Sequence, residues 1–224
     1  MTRKLTGAAF VSLDGVMQAP GGPTEDPTGG FDESGWVFRM DDDGINDTLG
    51  ALFGAPYDLL LGRRTYDIFA AYWPYVEGEN AFMGESLTQA GQYVLTSSDA
   101  PLEWENSHRL SAIDEVPALK QSDGPDLLIQ GSSTLYPQLL DAGLLDRLVL
   151  MTFPIVLGRG KRLLDGAMSA GKLKLVDHRV TGKGTVITTY EPDGTIPPMP
   201  ANAPEPATSE REMARRARIE AGTW

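Results

Sequence analysis

The sequence predicts a single α/β domain built on a mostly parallel central sheet, with antiparallel strands at one edge and helices on its faces. Short apolar runs alternate with segments of helical periodicity as far as about residue 146, which is typical of parallel sheets with helical crossovers. Three strand-like segments then follow one another with no helix pattern between them. We therefore assign residues 1–191 to one domain and residues 192–224 to a proline-rich linker and charged tail.

The elements before residue 146 follow from apolar periodicity and from glycine and proline positions. The segment 4–13 is apolar along most of its length, which predicts a strand covered on both faces. The glycine- and proline-rich segment 15–35 predicts a long loop, a feature that is usually functional or mobile. Apolar residues at helical spacing predict a helix over 44–54, with Asp43 as its cap. The other predicted elements are strands at 57–61, 93–95, 108–110 and 127–130 and helices at 64–73, 80–90, 113–121 and 133–142.

The end of the chain changes in character. Residues 147–156, 173–180 and 185–190 read as strands, and 182–184 as a hairpin turn between the last two. A capped helix is expected over 209–221, where Ser209 and Glu212 have the spacing of a capping box. The tail has two interpretations: it is loosely attached, or it packs on a partner subunit.

Composition excludes several classes of function. The chain has no cysteine, so disulfides, thiolate metal sites and cysteine nucleophiles are excluded. With only two histidines, His108 and His178, we expect no metal site. A formal net charge of −12 repels phosphate backbones and argues against nucleic acid as a partner, although a few local arginines can still bind a small anion.

The apolar run near the N-terminus is too short for a signal peptide, and Asp14 follows it at once. No stretch has the apolar length needed to cross a bilayer. We therefore expect a soluble, cytoplasmic protein without a membrane partner.

Three polar turns each follow a predicted buried strand. They read GRRT at 62–65, TSS at 96–98 and GSST at 131–134, and we call them the edge turns. In a parallel sheet all three lie at the carboxyl edge, where open α/β sheets bind ligands. Free amides at helix N-termini, glycine and arginine together suit a phosphate group. A glycine after a strand is most often only a turn, but three such turns on one edge favour a dinucleotide.

The chain lacks both G-x-G-x-x-G after the first strand and the G-x-x-x-x-G-K-[ST] phosphate loop. Five segments in order instead resemble the dihydrofolate-reductase-like superfamily: SLDGVM, LLLGRRTYD, YVLTSS, LLIQGSSTL and PIVLGRGKRLL. They are most similar to the reductase domain at the carboxyl end of the bifunctional riboflavin-biosynthesis deaminase-reductase, and to its stand-alone relatives. The resemblance covers residues 3–191 and implies a dihydrofolate-reductase-like fold, NADPH as cofactor and a homodimer formed through the strand-rich end.

The resemblance also implies cofactor-binding residues. Those expected at the NADPH phosphates are Gly62, Arg63, Arg64 and Thr65, and those expected by the adenosine 2′-phosphate are Leu95, Thr96 and Ser97. The pyrophosphate turn corresponds to Gly131, Ser132, Ser133, Thr134 and Leu135. Ala9, Asp14 and Gly15 are expected against the nicotinamide. Many relatives have two glycines at the pyrophosphate turn, where this chain has Gly131 and Ser132, so the geometry of that turn is left open.

A catalytic acid is less clearly indicated. Dihydrofolate reductases carry a carboxylate on the helix before the GRRT-like strand, and Asp47 lies on the corresponding helix. The alternative is that Asp47 only complements the helix dipole. Asp14 is the second candidate for the acid.

Substrate contacts are also open to two interpretations. An apolar wall over the substrate could be formed by Phe31, Trp36 and Phe38, with Asp47 as a further substrate contact. The alternative is that these aromatic residues cover the core or a dimer contact. The cations of 159–162 could attract a substrate phosphate, or could form a solvated turn.

Taken together, these features favour an NADPH-dependent reductase that transfers a hydride to a small heterocyclic substrate of pterin or ribosylaminopyrimidine type. The leading named reaction is the reduction of a ribosylaminopyrimidine phosphate in riboflavin biosynthesis. A zinc deaminase half cannot be present without cysteine. The alternatives are a non-catalytic nucleotide-binding or interaction module of the same fold, and an enzyme that uses NADH or a flavin.

Overall fold

The computed structural model of the chain describes residues 2–166 and 168–223, and within them the strands form one eight-stranded sheet. The strands are β1 (Leu5–Ser12), β2 (Tyr57–Gly62), β3 (Gln92–Leu95), β4 (Ser107–Leu110), β5 (Asp126–Ile129), β6 (Arg147–Phe153), β7 (Leu173–Val180) and β8 (Val186–Pro192). The α-helices are α1 (Trp36–Met40), α2 (Asn46–Phe53), α3 (Arg63–Tyr72), α4 (Ala81–Gln89), α5 (Val116–Gln121), α6 (Leu135–Asp141) and α7 (Glu210–Glu220).

The order of strands across the sheet is β4-β3-β2-β5-β1-β6-β8-β7. Strands β1 to β6 are parallel to one another. Strand β8 is antiparallel to both β6 and β7, so the predicted α/β fold with antiparallel strands at one edge is confirmed. Because β2 lies between β3 and β5, the turns that follow these three strands are neighbours at the carboxyl edge.

The core consists of two apolar layers, one on each face of the sheet. One layer contains Trp36 and Tyr66, which come from α1 and α3. The other contains Val116 and Leu139, which come from α5 and α6. Strand β2 contributes Leu59 and Leu61 to the first layer and Leu60 to the second, which accounts for its unbroken apolar sequence.

Buried polar contacts fasten distant segments to the sheet. Arg3 is 2% exposed, forms an ion pair with Asp58 and donates through Nε to the carbonyl of Pro125 at 2.5 Å. Asp42 accepts from the hydroxyls of Thr181 and Thr185 at 2.6 and 2.5 Å. The second contact ties the β7–β8 hairpin to the segment that leads into α2.

The helix predicted over 44–54 starts later in the structure, at Asn46, and has a different cap. A 3₁₀ turn over Asp43–Ile45 precedes α2, and its cap is Asp42, whose carboxylate accepts from the amide of Gly44 at 3.1 Å. Asp43 is therefore not the cap. The expectation failed because three consecutive aspartates offer the same local signal, and only the contacts of Asp42 with the distant hairpin distinguish it.

The described chain divides into two compact units, the first ending at Gly194 and the second beginning at Thr195. In the second unit the hydroxyl of Ser209 accepts from the amide of Glu212 at 3.2 Å, as the capping box requires. The carboxylate of Glu212 is engaged with Arg215 and Arg216. Half of the predicted capping box is therefore present.

Candidate functional site

Two of the edge turns are in direct contact at the carboxyl edge of the sheet. The amide of Gly62 donates to the carbonyl of Gly131 at 3.1 Å. The hydroxyls of Thr65 and Ser132 lie 3.1 Å apart. The N-terminus of α3 therefore packs on the turn that follows β5, and the peptide bond between Gly131 and Ser132 is cis.

Both glycines are required by this close approach. A Cβ atom at Gly62 would lie 2.6 Å from the Ser132 hydroxyl oxygen, and one at Gly131 would lie 2.5 Å from that of Thr65. Gly131 also has a φ of +145°, which side-chain-bearing residues rarely adopt. The two glycines therefore allow the turns to pack directly on each other.

Two guanidinium groups share one acceptor beside these turns. Arg63 and Arg109 both donate to the carbonyl of Ala100, at 2.8 and 2.7 Å. Arg63 also forms an ion pair with Asp67 at 2.8 Å. Nη1 of Arg109 is buried and has no hydrogen-bond partner among the described residues. The two guanidinium groups have only one carboxylate, that of Asp67, beside them, and one of their nitrogens has no acceptor in the described structure. The pair is therefore suited to bind a further anion.

The turn after β3 completes this corner of the edge. Thr96 is buried, and its hydroxyl accepts from the amide of Ser98 at 3.1 Å. Ser97 is exposed, whereas Leu95 is half-buried against the core. Of the three residues expected near the 2′-phosphate, only Ser97 has an exposed side chain.

The remaining phosphate candidates differ in exposure. Arg64 and Thr134 are exposed, Ser133 is half-buried, and Leu135 belongs to the core at 3% exposure. Leu135 therefore supports the turn through packing. The side-chain nitrogen of Gln130, directly before this turn, is buried with no hydrogen-bond partner in the described part of the chain.

Asp14 braces the loop that follows β1. Its carboxylate accepts from the hydroxyl of Ser12 at 2.6 Å and from the amides of Leu157 and Gly158 at 3.1 and 2.9 Å. Burial by itself raises the pKa of Asp14, but these hydrogen bonds outweigh it and lower the pKa below its usual value. The group is therefore ionised at neutral pH, which does not suit the predicted role of proton donor. Ala9 is buried in the core, and Gly15 has open space around it.

Asp47 is not brought to the edge turns. Its side chain is 95% exposed and lies 3.9 Å from Arg179 of β7, the strand at the far edge of the sheet. Asp47 lies in the first turn of α2, as the alternative interpretation expected of an acid that complements the helix dipole. The prediction that Asp47 is catalytic or binds the substrate is therefore corrected. The helix was predicted from its periodicity, but its rotation against the sheet depends on packing.

Phe31 and Trp36 pack in the core. They are 3% and 1% exposed, and the ring of Trp36 meets that of Phe153 edge to face at 5.4 Å. The indole nitrogen donates to the carbonyl of Gln18 at 2.9 Å. The expectation that these two residues form a substrate wall is therefore corrected, because Phe31 belongs to the core and the ring of Trp36 covers the end of β6. Phe38, the third aromatic residue of the expected wall, is 76% exposed.

The cations that follow β6 are all paired with other groups. Arg159 pairs with Asp32 at 2.6 Å, and Lys161 pairs with Asp26. Arg162 donates to the carbonyl of Asp14 at 3.0 Å. These side chains connect the segment after β6 to the loop that follows β1. The segment is therefore neither a free phosphate-binding cluster nor only a solvated turn.

Sequence reasoning missed Arg109 and Gln130. Arg109 lies on the short edge strand β4, where a charged residue is usually a solvated one. Its proximity to Arg63 arises from the parallel pairing of β3 with β4 and from the fold of the loop that ends at Ala100. A local sequence signal for that contact does not exist.

In the described ranges, no group of three or more histidine, cysteine, aspartate or glutamate side chains is arranged to hold a metal ion. Nor does any helix in those ranges have the length and apolar character needed to cross a bilayer.

The chain is similar to proteins of a known family. Residues 3–187 match the family described as the RibD C-terminal domain. The uncharacterized protein YyaP of Bacillus subtilis (strain 168) is 25% identical over 187 residues, which cover 82% of this chain and 92% of that protein.

Solved structures are similar in fold at lower identity. A provisionally named riboflavin biosynthesis protein of Shewanella sp. PV-4 has a TM-score of 0.64 at 20% identity, covering 86% of this chain and 99% of that one. Dihydrofolate reductase of Enterococcus faecalis, solved with NADP(H), has a TM-score of 0.51 at 17% identity, covering 85% and 96%. The chain therefore belongs to the RibD C-terminal domain family and has a dihydrofolate-reductase-like fold.

Proposed function

We propose that the protein is an NADPH-dependent reductase of a small heterocyclic substrate of pterin or ribosylaminopyrimidine type. The observation that carries the proposal is the contact between the turn that begins α3 and the turn after β5. Two glycine-lined turns meet there beside a pair of arginines, at the sheet edge where α/β folds bind nucleotides. The family of the chain supports the same reading.

The residues present fit the phosphates of a dinucleotide. Side chains at Gly62 and Gly131 would collide with the hydroxyls of Ser132 and Thr65 and push the two turns apart. Helix α3 begins at Arg63, so its first amides and its dipole favour an anion at this point. We expect Gly62, Thr65, Gly131 and Ser132 to hold the pyrophosphate, with Arg64 exposed beside them.

The adenosine 2′-phosphate distinguishes NADPH from NADH, and the arginine pair fits it. Arg63 and Arg109 converge on one carbonyl, and a buried Nη1 of Arg109 lacks a partner in the described structure. A phosphate would supply the missing acceptor. The exposed hydroxyl of Ser97 belongs to the same corner of the sheet edge.

The reaction adds one hydride and one proton across a double bond of the substrate, and bound NADPH supplies the hydride. Asp14 holds the loop after β1 in place and is ionised. Asp47 lies on the surface beside Arg179. Because neither carboxylate is positioned as an acid, we expect the proton to come from water.

The test is calorimetric titration of the purified protein with NADPH and NADH. Arg63→Ala and Arg109→Ala should each raise the Kd for NADPH about tenfold to a hundredfold, since a hydrogen bond to a charged group contributes roughly 1.5–3 kcal/mol. The Kd for NADH should change by less than about threefold, because NADH lacks the phosphate.

Arg147→Ala is the matched control, because it removes a cation whose exposed partner is Glu191, on β8. Equal weakening of both cofactors by the Arg63 or Arg109 variant would show that the 2′-phosphate assignment is wrong. Absence of binding of either cofactor to the wild-type protein would reject the reductase and favour a non-catalytic interaction module.

A further inference from the structure

A groove lies beside the end of β6, and we call it the β6 groove. It has a volume of about 290 Å³, just below the range that is usual for small-molecule sites. Its lining is formed by Trp36, Met40, Ile155, Val156 and Leu157, with Glu33 and Arg39 at its rim. Apart from the rim pair, the walls are apolar.

The β6 groove adjoins the loop that is expected beside the nicotinamide. The amide of Leu13 donates to the carbonyl of Ile155 at 2.8 Å, and Asp14 accepts from the amide of Leu157. One wall of the groove is therefore hydrogen-bonded to the segment that follows β1. A molecule in the groove would lie next to the carboxyl end of β1, where the proposed reductase needs its substrate.

Within the described structure, neither the groove lining nor the segment 159–162 that follows it in the chain offers an unpaired cation. Arg39 pairs with Glu33 at 2.5 Å, and Arg159 pairs with Asp32. Lys161 pairs with Asp26, and Arg162 lies 3.8 Å from the carboxylate of Asp14. Four cations thus face four carboxylates, and the pairs cancel the field that would attract an anion.

A phosphate is costly to place against such a surface. A phosphate group carries between one and two negative charges at neutral pH. Removing these charges from water is unfavourable unless cationic partners replace the lost hydration. The carboxylate of Asp26 is 8% exposed, so a phosphate that displaced it from Lys161 would leave a buried carboxylate without its cation. A flat, neutral ring has no such cost, and the thioether of Met40 and the aliphatic side chains contact it favourably.

We propose that the β6 groove binds the reducible substrate, and that this substrate is a neutral heterocycle without a phosphate group. The proposal rests on the proposed reductase function and narrows its substrate class. It separates this chain from a reductase whose substrate is anchored by a phosphate.

The test compares equilibrium binding of matched compounds to the protein saturated with NADP⁺. The probes are 5-amino-6-(5-phosphoribosylamino)uracil and the same compound without its phosphate, measured by calorimetry. The dephosphorylated member should bind at least about tenfold more tightly, a difference of roughly 1.4 kcal/mol. Tighter binding of the phosphorylated member would overturn the proposal.

A variant tests the location of binding. Val156 is 68% exposed in the groove, so Val156→Glu adds a charge there without disturbing the core. It should weaken binding of the neutral probe about tenfold or more. Phe82→Glu is the control, because Phe82 is similarly exposed at 67% on α4. Equal effects of the two variants would overturn the groove as the binding site.

The remaining outcomes separate this proposal from the proposed function. If the protein binds NADPH but neither probe binds, the groove assignment is overturned and the cofactor site stands. If NADPH does not bind, the reductase function itself fails, and the substrate proposal fails with it.

Discussion

At the scale of single residues, the arrangement of charge decides what the carboxyl edge can bind. Nη1 of Arg109 is buried without a partner in the described structure, whereas the cations after β6 are each matched with a carboxylate or a carbonyl. The first arrangement leaves capacity for an anion and the second does not. The cofactor end of the proposed site therefore accepts an anionic group, whereas the β6 groove accepts a neutral one.

Asp47 provides a residue-scale test of catalysis. Because its side chain is 95% exposed beside Arg179, we expect Asp47→Asn to change kcat by less than about twofold. Steady-state oxidation of NADPH with any substrate identified by the binding experiment measures this. A loss of kcat of about a hundredfold, the scale of a lost general acid, would contradict the structural position of Asp47.

Asp14 provides a test based on pH. Its pKa is lowered in the folded protein, so its contribution to stability is present above the ordinary value of 3.8 and is lost as the pH falls through the lowered value. Asp14→Asn should lower the free energy of unfolding at pH 7 by about 1–3 kcal/mol. The difference between wild type and variant should shrink below pH 3.8. Urea denaturation across this range measures it.

Asp123→Asn is the control for this comparison, because Asp123 is exposed. A difference for Asp14→Asn that stays constant from neutral to acid pH would mean that the contribution of Asp14 is not carried by its charge.

At the scale of elements, the site depends on the close packing of the N-terminus of α3 on the turn after β5. A Cβ atom at Gly131 would meet the Thr65 hydroxyl oxygen at 2.5 Å. We therefore expect Gly131→Ala to lower the free energy of unfolding by about 2–3 kcal/mol through strain and overpacking. It should also raise the Kd for NADPH at least about tenfold, because the two turns are forced apart. Thermal unfolding and calorimetry measure the two effects.

Gly143→Ala is the matched control for this change. Gly143 also has a positive φ, +64°, but a Cβ atom added there would have no atom within 4 Å outside its immediate chain neighbours. It should cost about 1–2 kcal/mol from backbone strain and leave the Kd for NADPH unchanged. If Gly131→Ala behaves like Gly143→Ala in both measurements, the close approach of the turns is not needed for binding.

At the scale of the whole molecule, β7 leaves one edge of the sheet open. It lies at the end of the strand order and carries the exposed apolar side chains Leu175, Val176 and Val180. Open strand edges and exposed apolar residues favour pairing with another chain. We propose a homodimer that uses this strand-rich end.

Light scattering coupled to size-exclusion chromatography tests the dimer at micromolar concentration. The measured mass should be twice that of a single chain. Val180→Lys should shift it toward the monomer, because Val180 is 63% exposed on β7. Tyr75→Lys, at a residue 76% exposed outside this edge, should leave the dimer intact. A wild-type monomer would contradict the proposal.

The amino-acid sequence by itself determined the order of the elements, the parallel sheet with its antiparallel edge and the position of the edge turns. These follow from local signals: apolar runs such as that of β2, and glycine placed where a strand ends. Parallel strands end at the same edge of a sheet, so the sequence predicted that Gly62 and Gly131 lie at one edge. Their direct hydrogen bond is a detail of the structure.

Only the tertiary structure decided which side chains serve the site. Arg109 meets Arg63 through the pairing of β3 with β4, and Trp36 is buried because its helix packs over the end of β6. Asp47 faces Arg179, and Asp14 binds amides more than a hundred residues away. Burial and hydrogen bonding of this kind depend on the direction of each side chain and on partners distant in the chain, so no local pattern encodes them.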